Sequence, residues 1–395
     1  MLTNTNSYVY FRYLHLQDNK ATDVNRTDKL WKIRWFLDFL GARFQALYQV
    51  NGFVTVDESM VKFKGRLGFR QYLPLKPVKW GVKVWVMAES STDYCSTFQV
   101  YTGKDTAGTT EKGLAHRVVM DLTKPYYGSQ LAVFMDNFYT GPELLTEMRK
   151  FGLYGCGTVR AGRKGLPKNP ELTKKAKLER HAFRVAQKEE LTFCLWQDTK
   201  MVMVLSNFHH PLARGKVNRR RERGMASVEV EVPASLSDYQ RHMKGVDLMD
   251  QMIGYYQFQH RSLKWWRRVF FFFLITSCHN AFIAAKSVGG SDFKKTYTGF
   301  KEWLEDLTEE LVGTAHSRAP PERTRTPGPS PSSSAAPSPV PMSGTPSPGP
   351  SSSTHSPGDA STASSPVSAP HHDFERLSEK RRSCKMCLAE CSGTG

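Results

Sequence analysis

The feature that most constrains the fold is a run of five apolar residues, 131–135, which ends abruptly at Asp136. A short, wholly apolar run bounded by a polar residue is typical of a strand that is buried on both faces. Such a strand needs other elements packed on both sides, so the run predicts a layered α/β fold. A second short apolar run, at 53–56, ends in the same way at Asp57.

The rest of the pattern alternates between helical and strand-like segments. Apolar residues recur every three or four positions over 28–47, which predicts a helix, and β-rich segments at 79–88 and 94–101 predict neighbouring antiparallel strands. Further predicted elements are helices at 113–122 and 142–151, a strand near 155–160, a strand pair at 191–196 and 201–205, interrupted helices over 237–286 and an amphipathic helix at 300–311. We therefore expect an α/β fold with a mixed sheet flanked by helices.

Composition divides the chain into parts. The net charge is +18, most of it carried before residue 317, and residues 161–230 are especially rich in Lys and Arg. Residues 317–372 are rich in Ser and Pro and cannot bury enough apolar surface to fold. The predicted parts are a helical part at 1–50, a catalytic core at 51–160 and 235–316, a basic, β-containing insertion at 161–234, a disordered linker at 317–372 and a cysteine-containing tail at 373–395.

Cysteine spacing and hydropathy indicate in which cellular compartment the protein is expected. Seven irregularly spaced cysteines do not resemble a disulfide framework, and the chain opens without a signal-like segment, so we expect a reducing intracellular compartment. The apolar stretch at 269–285 has 17 residues and contains His279 and Asn280. It is short for a membrane span, and we expect a buried core helix and no membrane partner.

Four aspartates form the candidate catalytic set. Asp57 and Asp136 each follow an apolar run, and Asp247 and Asp250 stand three apart, a spacing that places both on one face of a helix. Clustered carboxylates favour a cation, and two Mg²⁺ ions about 3.5–4 Å apart would support phosphoryl transfer. For any one of these residues, a role as a turn former or helix cap is the ordinary alternative.

Several longer motifs occur in a fixed order around these acids. They are VDESMVKFKGR at 56–66, QYLPLKP at 71–77, KWGVK at 79–83, VYTG at 100–103, MDNFYT at 135–140, GTVR at 157–160, LSN at 205–207, KGVDLMDQ at 244–251 and KWW at 264–266. Together they closely resemble the piggyBac transposase family over roughly residues 10–285.

The resemblance implies a DDE/D transposase with a ribonuclease-H-like core. It assigns metal binding to Asp57, Asp136 and Asp247 and a fourth functional acid to Asp250, with two Mg²⁺ ions for which Mn²⁺ can substitute. It further implies strand cleavage at transposon ends through a hairpin intermediate, joining at TTAA targets, and action as a homodimer on double-stranded DNA. Trp265 or Trp266 matches a family tryptophan, for which packing is the ordinary role and stacking on distorted DNA the alternative.

The chain departs from the family pattern at both ends. The family has a longer region before the opening helices, so we expect this part to be shortened and end recognition to be affected. Cys384, Cys387 and Cys391 resemble the start of the family's zinc-binding domain. A closed zinc site needs four ligands, so we expect a remnant and not a folded zinc module.

Basic residues near the motifs are candidate DNA contacts, since phosphate contacts make binding strong and salt-dependent. A solvated basic loop is the alternative, and the cluster at 214–223 also fits a nuclear import signal, which predicts a nuclear protein. The predicted contacts are Lys64, Arg66, Arg160, Arg163, Arg219, Arg220, Arg221, Lys264, Trp265 and Arg267.

Two functions remain open at this point. The first is a piggyBac-type DNA transposase, favoured by the presence of all four aspartates. The alternative is a domesticated, catalytically inactive protein that binds specific DNA sequences. A structural protein without a DNA partner is disfavoured by the positive charge.

Overall fold

The computed structural model of the protein describes residues 13–22, 24–103, 113–220, 227–258 and 262–313. Described residues up to Glu305 form one compact unit, and those from Asp306 onward belong to a second. The predicted linker at 317–372, the three tail cysteines and Arg221 lie outside the described residues. The domain boundaries predicted from the sequence therefore remain predictions.

Eleven strands and seven α-helices are described in the part of the chain that the structure covers. The strands are β1 (Phe53–Lys62), β2 (Gln71–Tyr72), β3 (Trp80–Glu89), β4 (Cys95–Val100), β5 (Ala132–Met135), β6 (Tyr154–Thr158), β7 (Phe183–Lys188), β8 (Leu191–Gln197), β9 (Met201–Ser206), β10 (Arg214–Arg220) and β11 (Ser227–Pro233). The helices are α1 (Arg34–Leu47), α2 (Leu114–Thr123), α3 (Pro142–Lys150), α4 (Ala234–His242), α5 (Gly245–Tyr256), α6 (Trp265–Thr296) and α7 (Phe300–Val312).

A nine-stranded mixed sheet forms the framework. Its strand order is β2-β3-β1-β5-β6-β9-β8-β7, with β4 paired to β3 as well. Strands β1, β5 and β6 run parallel to one another, and the pairs on either side of them are antiparallel. Strand β5 is buried along its whole length, as its apolar sequence predicts, because it lies in the middle of the parallel part. The predicted mixed sheet flanked by helices is confirmed.

The basic stretch after β6 contributes to this sheet. Strands β9, β8 and β7 continue it by antiparallel pairing from β6, and the predicted strand pair is β8 with β9. Strands β10 and β11 form a separate two-stranded ribbon that contacts α4. The framework therefore extends through the predicted insertion, and α4 and α5 then return the chain to the parallel strands.

Helix α6 contains the apolar stretch for which a core helix was predicted. Among the described residues, it alone is long and apolar enough to cross a membrane, and half of its apolar window is buried within the fold. Asn280 on this helix donates to the backbone oxygen of Cys95 at 2.8 Å and accepts from its N–H at 2.9 Å. These bonds attach α6 to β4, and the helix bends at Gly290, whose φ is 51°.

Candidate active site

Two of the predicted aspartates follow the same register position on neighbouring strands. The last parallel pair between β1 and β5 joins Val56 and Met135, so Asp57 is the next residue of β1 and Asp136 the first residue after β5. Neighbouring strands lie about 4.8 Å apart, which brings the two aspartates side by side. Parallel pairing therefore places two residues that are far apart in sequence at one edge of the sheet.

The prediction that the first strand ends at Asp57 is wrong. Strand β1 continues to Lys62, and Asp57 lies within its antiparallel pairing with β3, opposite Val86. The apolar run ends at Asp57, but β3 keeps offering backbone partners as far as Gly81, and these hold the polar residues in the strand. Asp136, in contrast, does follow the end of its strand, as predicted.

Asp136 is fixed by the turn that follows β5. Its Oδ1 accepts from the N–H of Phe138 at 2.8 Å, and its backbone oxygen accepts from the N–H of Thr140 at 3.1 Å. Burial raises the pKa of Asp136, the Phe138 N–H opposes that shift, and the nearby Glu58 adds to it. The carboxyl group is thus held in place with one oxygen bound to the turn.

Helix α5 brings the other two aspartates to strand β1. Ser59 donates through Oγ to Oδ1 of Asp250 at 2.7 Å. Near the start of α5, a Cβ added at Gly245 would lie 2.8 Å from the Glu89 backbone oxygen, so glycine permits this close approach. Asp247 lies in the first turn with a side chain that is 59% exposed, whereas Asp250 is partly buried. The helix thus presents one acid to solvent and ties the other to the sheet.

A lysine joins this group of acids. Nζ of Lys76 lies 3.2 Å from Oδ2 of Asp57, 3.9 Å from Oε1 of Glu58 and 4.0 Å from Oδ1 of Asp247. It also donates to the backbone oxygen of Glu58 at 3.0 Å. Burial alone would lower the pKa of Lys76, but Asp57, Glu58 and Asp247 together raise it. One ammonium group therefore contacts three carboxylates from two elements, Asp57 and Glu58 on β1 and Asp247 on α5.

Glu58 lies beside this cluster and has its own partners. Its Oε2 accepts from the hydroxyl of Tyr139 at 3.2 Å and lies 3.8 Å from Nζ of Lys83. Burial, with Glu58 as the next cause, raises the pKa of Tyr139 well above its usual value, so the phenol stays protonated and can donate. These contacts give Glu58 a structural role beside the cluster.

Two of the acids, Asp57 and Asp250, have unusually high pKa values for aspartates. Burial raises the pKa of Asp57 to about 7, with Lys76 opposing and Glu58 adding to the shift. Burial also raises the pKa of Asp250 to about 7, and the Ser59 hydrogen bond opposes that shift. Strongly raised carboxyl pKa values occur preferentially at functional sites. Both carboxyl groups therefore become fully charged only above neutral pH.

The donor set matches the chemistry of magnesium. Carboxylate oxygens are the ligands that Mg²⁺ takes from proteins, and Asp57 and Asp247 face one position where a cation, the Lys76 ammonium, is already accepted. Within the described ranges, however, no three His, Cys, Asp or Glu side chains are grouped closely enough to hold a metal ion as they stand. The acids thus match the metal in the kind of ligand atom that they offer, and a lysine stands among them.

Two of the predicted DNA-contacting residues lie beside Asp136. Arg160 donates through Nε to Oδ1 of Asn137 at 2.8 Å, and Arg163 donates to the backbone oxygen of Asn137 at 2.7 Å. Both arginines thus lie next to Asp136. Three further predicted contacts are exposed, namely Lys64, Arg66 and Lys264. Cations near the acids and on the surface are suitably placed to meet phosphates.

Other predicted DNA contacts have packing roles. Arg267 is 6% exposed and donates to the backbone oxygen of Leu14 at 3.2 Å, so DNA would reach it only if it were uncovered. Arg219 lies over the ring of Trp196 and 3.3 Å from Asp198. Trp265 packs edge-on against Phe69, with ring centroids 5.2 Å apart, in line with the ordinary packing role. For Arg220 the structure describes only the backbone, at the end of β10.

Three residues of the site were not identified from the sequence: Lys76, Ser59 and Tyr139. All three lie within the quoted motifs, but a motif does not say which side chains meet. A signal for Ser59 was present, because residues 57 and 59 of a strand point to the same face. No local pattern indicates that the loop carrying Lys76 reaches back to Asp57, 19 positions earlier.

Comparisons with known proteins relate the chain to transposases and to proteins derived from them. Residues 10–282 match the family described as Transposase IS4. Human PiggyBac transposable element-derived protein 2 is 28% identical over 282 residues, covering 69% of this chain and 46% of that protein. Human PiggyBac transposable element-derived protein 3 is 31% identical over 266 residues, covering 65% and 44%. The chain spans about half the length of these curated relatives.

The fold has a counterpart among solved structures. The cryo-EM structure of a piggyBac transposase synaptic complex with hairpin DNA superposes with a TM-score of 0.65 at 24% sequence identity. The match covers 81% of this chain and 66% of that chain. The similarity shows a shared fold, with the mixed sheet flanked by helices.

Proposed function

The chain belongs to the piggyBac group of transposases, and from that premise we propose that it cuts and joins DNA strands in a metal-dependent reaction. The observation that carries the proposal is the convergence of acids from three elements. Parallel pairing sets Asp57 beside Asp136, and α5 brings Asp247 to the ammonium group that also contacts Asp57. This convergence would be unexpected if each aspartate were only a local turn former or cap.

Each acid has a distinct part in this proposal. Asp57, Asp136 and Asp247 would hold Mg²⁺, or Mn²⁺ in its place. When bound, such ions activate an attacking oxygen and stabilise the leaving oxygen of a phosphodiester. Asp250 would act as a positioning residue, because its bond to Ser59 fixes α5, and with it Asp247, against β1. The Tyr139 hydroxyl holds Glu58 on the side of the cluster where Lys83 lies.

The DNA would approach along the exposed cations. Arg160 and Arg163 flank Asp136, and the net charge of +18 favours a polyanion. By analogy with the piggyBac complex with hairpin DNA, we propose that the chain acts on double-stranded DNA at element ends through a hairpin and joins them at TTAA. A homodimer working in the nucleus is part of the same proposal.

A second function, that of a DNA-binding protein without cleavage activity, is supported by one observation. The ammonium of Lys76 takes the position between Asp57 and Asp247 where a metal ion would be needed for catalysis. If that arrangement is permanent, the fold would bind DNA through the same cations and leave the strands intact.

A nicking assay separates the two functions. The substrate is a duplex that carries the terminal repeats of the element encoding this chain beside TTAA, incubated with Mg²⁺ or Mn²⁺. The transposase proposal expects metal-dependent nicks with wild type and none with Asp136→Asn. Asp292→Asn is the control, because Asp292 is 87% exposed on α6, and it should cleave like wild type. Intact strands with normal DNA binding would favour the non-cleaving binder.

A further inference from the structure

Lys76 reaches the acids from an exposed loop. The loop at 73–79 joins β2 to β3, and its Leu75 is 97% exposed. The Lys76 side chain, in contrast, is only 23% exposed. A lysine normally keeps its ammonium group in water, so its return to the protein needs a compensating attraction. Asp57 and the carbonyl group of Glu58 supply that attraction, with Nζ distances of 3.2 and 3.0 Å.

The contacts of Lys76 differ from those of a surface ion pair. An exposed pair joins one cation to one carboxylate and contributes little to stability. Here one Nζ lies within 4.0 Å of Asp57, Glu58 and Asp247, and the first two are only 21% and 17% exposed. The ammonium group therefore acts as the shared counter-ion of the cluster.

A lysine and a metal ion cannot use this position together. Mg²⁺ binds oxygen at about 2.0–2.1 Å, so the Asp57 and Asp247 oxygens, at 3.2 and 4.0 Å from Nζ, would have to close in on a metal. An ammonium group left among them would repel the ion strongly at such short range. Metal binding thus requires Lys76 to withdraw, and the exposed loop leaves room for it to do so.

We propose that Lys76 is an internal counter-ion that holds the acid cluster in its metal-free state and that a divalent ion must displace. The inference rests on the proposed function, since it concerns the same acids, but it adds a residue and a step to it. Before a metal ion binds, the ammonium group of Lys76 balances the negative charge of the carboxylates and keeps them apart. After the metal ion has bound, this ammonium group is released toward the bound DNA. Phosphates are the nearest available anions there in the proposed complex.

Metal binding itself provides the first test, without any need for DNA cleavage. Mn²⁺ affinity is measured by electron paramagnetic resonance at about pH 8.5, where protons compete least for carboxylates. Lys76→Met should bind Mn²⁺ about tenfold more tightly than wild type, equivalent to about 1.4 kcal/mol. Lys76→Arg keeps the charge and should stay near wild type. Lys79→Met removes an exposed charge from the same loop and should change affinity less than twofold.

A second measurement uses the wild-type protein and does not depend on a variant that folds. Lysines are acetylated briefly with and without Mn²⁺, and the labelling rates of Lys76 and Lys79 are compared by mass spectrometry. We expect Mn²⁺ to raise the Lys76 rate at least threefold and to leave Lys79 unchanged. Displacement frees the Lys76 amine from its carboxylate partners, and it therefore predicts a larger rise in the labelling rate of Lys76 than of Lys79.

The outcomes separate this inference from the proposed function. If Mn²⁺ binds wild type and Lys76→Met equally well, or leaves Lys76 as slow to label as before, the counter-ion role is wrong while the metal site stands. If Mn²⁺ binds none of the proteins, both the inference and the metal-dependent function are overturned. Tighter binding to Lys76→Met alone, with faster labelling of Lys76 in wild type, supports the proposal.

Discussion

The carboxyl group of Asp250 allows a quantitative test of the site's electrostatics. Its pKa is raised by burial from 3.8 to about 7, and its Oδ1 accepts from Ser59. The folded protein therefore holds a proton on Asp250 over a pH range in which the unfolded chain does not. The contribution of Asp250 to stability therefore falls as the pH rises from about 4 to about 7, because folding then keeps an acid protonated or buries its charge. Asp250→Asn cannot ionise and retains an oxygen that accepts from Ser59.

The size of this stability difference follows from the pKa shift of Asp250. Each pKa unit corresponds to about 1.4 kcal/mol, so a shift of about three units represents about 4 kcal/mol at a pH above both values. Asp250 is partly exposed, and solvent screening reduces the figure, so we expect about 2 kcal/mol. Asp250→Asn should match wild type near pH 4 and exceed it by that amount near pH 8.

Urea unfolding followed by tryptophan fluorescence, with EDTA present, measures this difference at both pH values. The matched control is Asp247→Asn, which makes the same substitution one turn earlier on α5, at a side chain that is 59% exposed. A stability difference for Asp250→Asn that is the same at both pH values would refute the argument. Destabilisation at pH 8 would show that the charged form of Asp250 is favoured in the fold.

Three further predictions concern packing and DNA binding. Gly245→Ala would place a Cβ 2.8 Å from the Glu89 backbone oxygen and should lower the free energy of unfolding by about 1–3 kcal/mol. Gly41→Ala adds a Cβ with nothing within 4 Å and should be neutral or stabilising in the same urea assay. Asn280→Ala leaves the buried Cys95 N–H and C=O groups without their partner and should cost about 2–4 kcal/mol, measured as the shift in the urea midpoint. Lys264→Gln, at an exposed cation, should weaken binding to unrelated duplexes alike and reduce the salt slope of fluorescence anisotropy titrations by about 1.

The elements that the sequence predicted best are those with the strongest local pattern. The apolar run before Asp136 corresponds to β5, and the predicted helix at 142–151 is α3, Pro142–Lys150. The helical periodicity predicted over 28–47 yields a helix only from Arg34, because residues 28–33 form turns instead. Hydrophobic periodicity indicates which side chains are buried, but turns can bury the same side chains as a helix would. Leu30 and Ile33 are buried in this way here.

The four aspartates were all identified from the sequence, but their different environments were not. Spacing placed Asp247 and Asp250 on one helix face, yet one is exposed and the other is bound by Ser59. Arg267 belonged to a basic cluster that suggested phosphate contacts, and the fold buries it against Leu14. A charge pattern shows what a side chain can bind, but the surrounding packing decides whether it is accessible.

The sequence by itself determined the elements with strong local patterns, such as β5 and α3, and the identity of the acids, because these depend on residues within a few positions of one another. Only the tertiary structure decided which groups meet. Ser59 and Asp250 are 191 residues apart, Asn280 and Cys95 are 185 apart, and Lys76 reaches both Asp57 and Asp247. Such contacts form when sheet register and helix docking bring distant segments together, and no short stretch of sequence specifies them. The raised pKa values of Asp57 and Asp250 have the same origin, since burial is a property of the assembled fold.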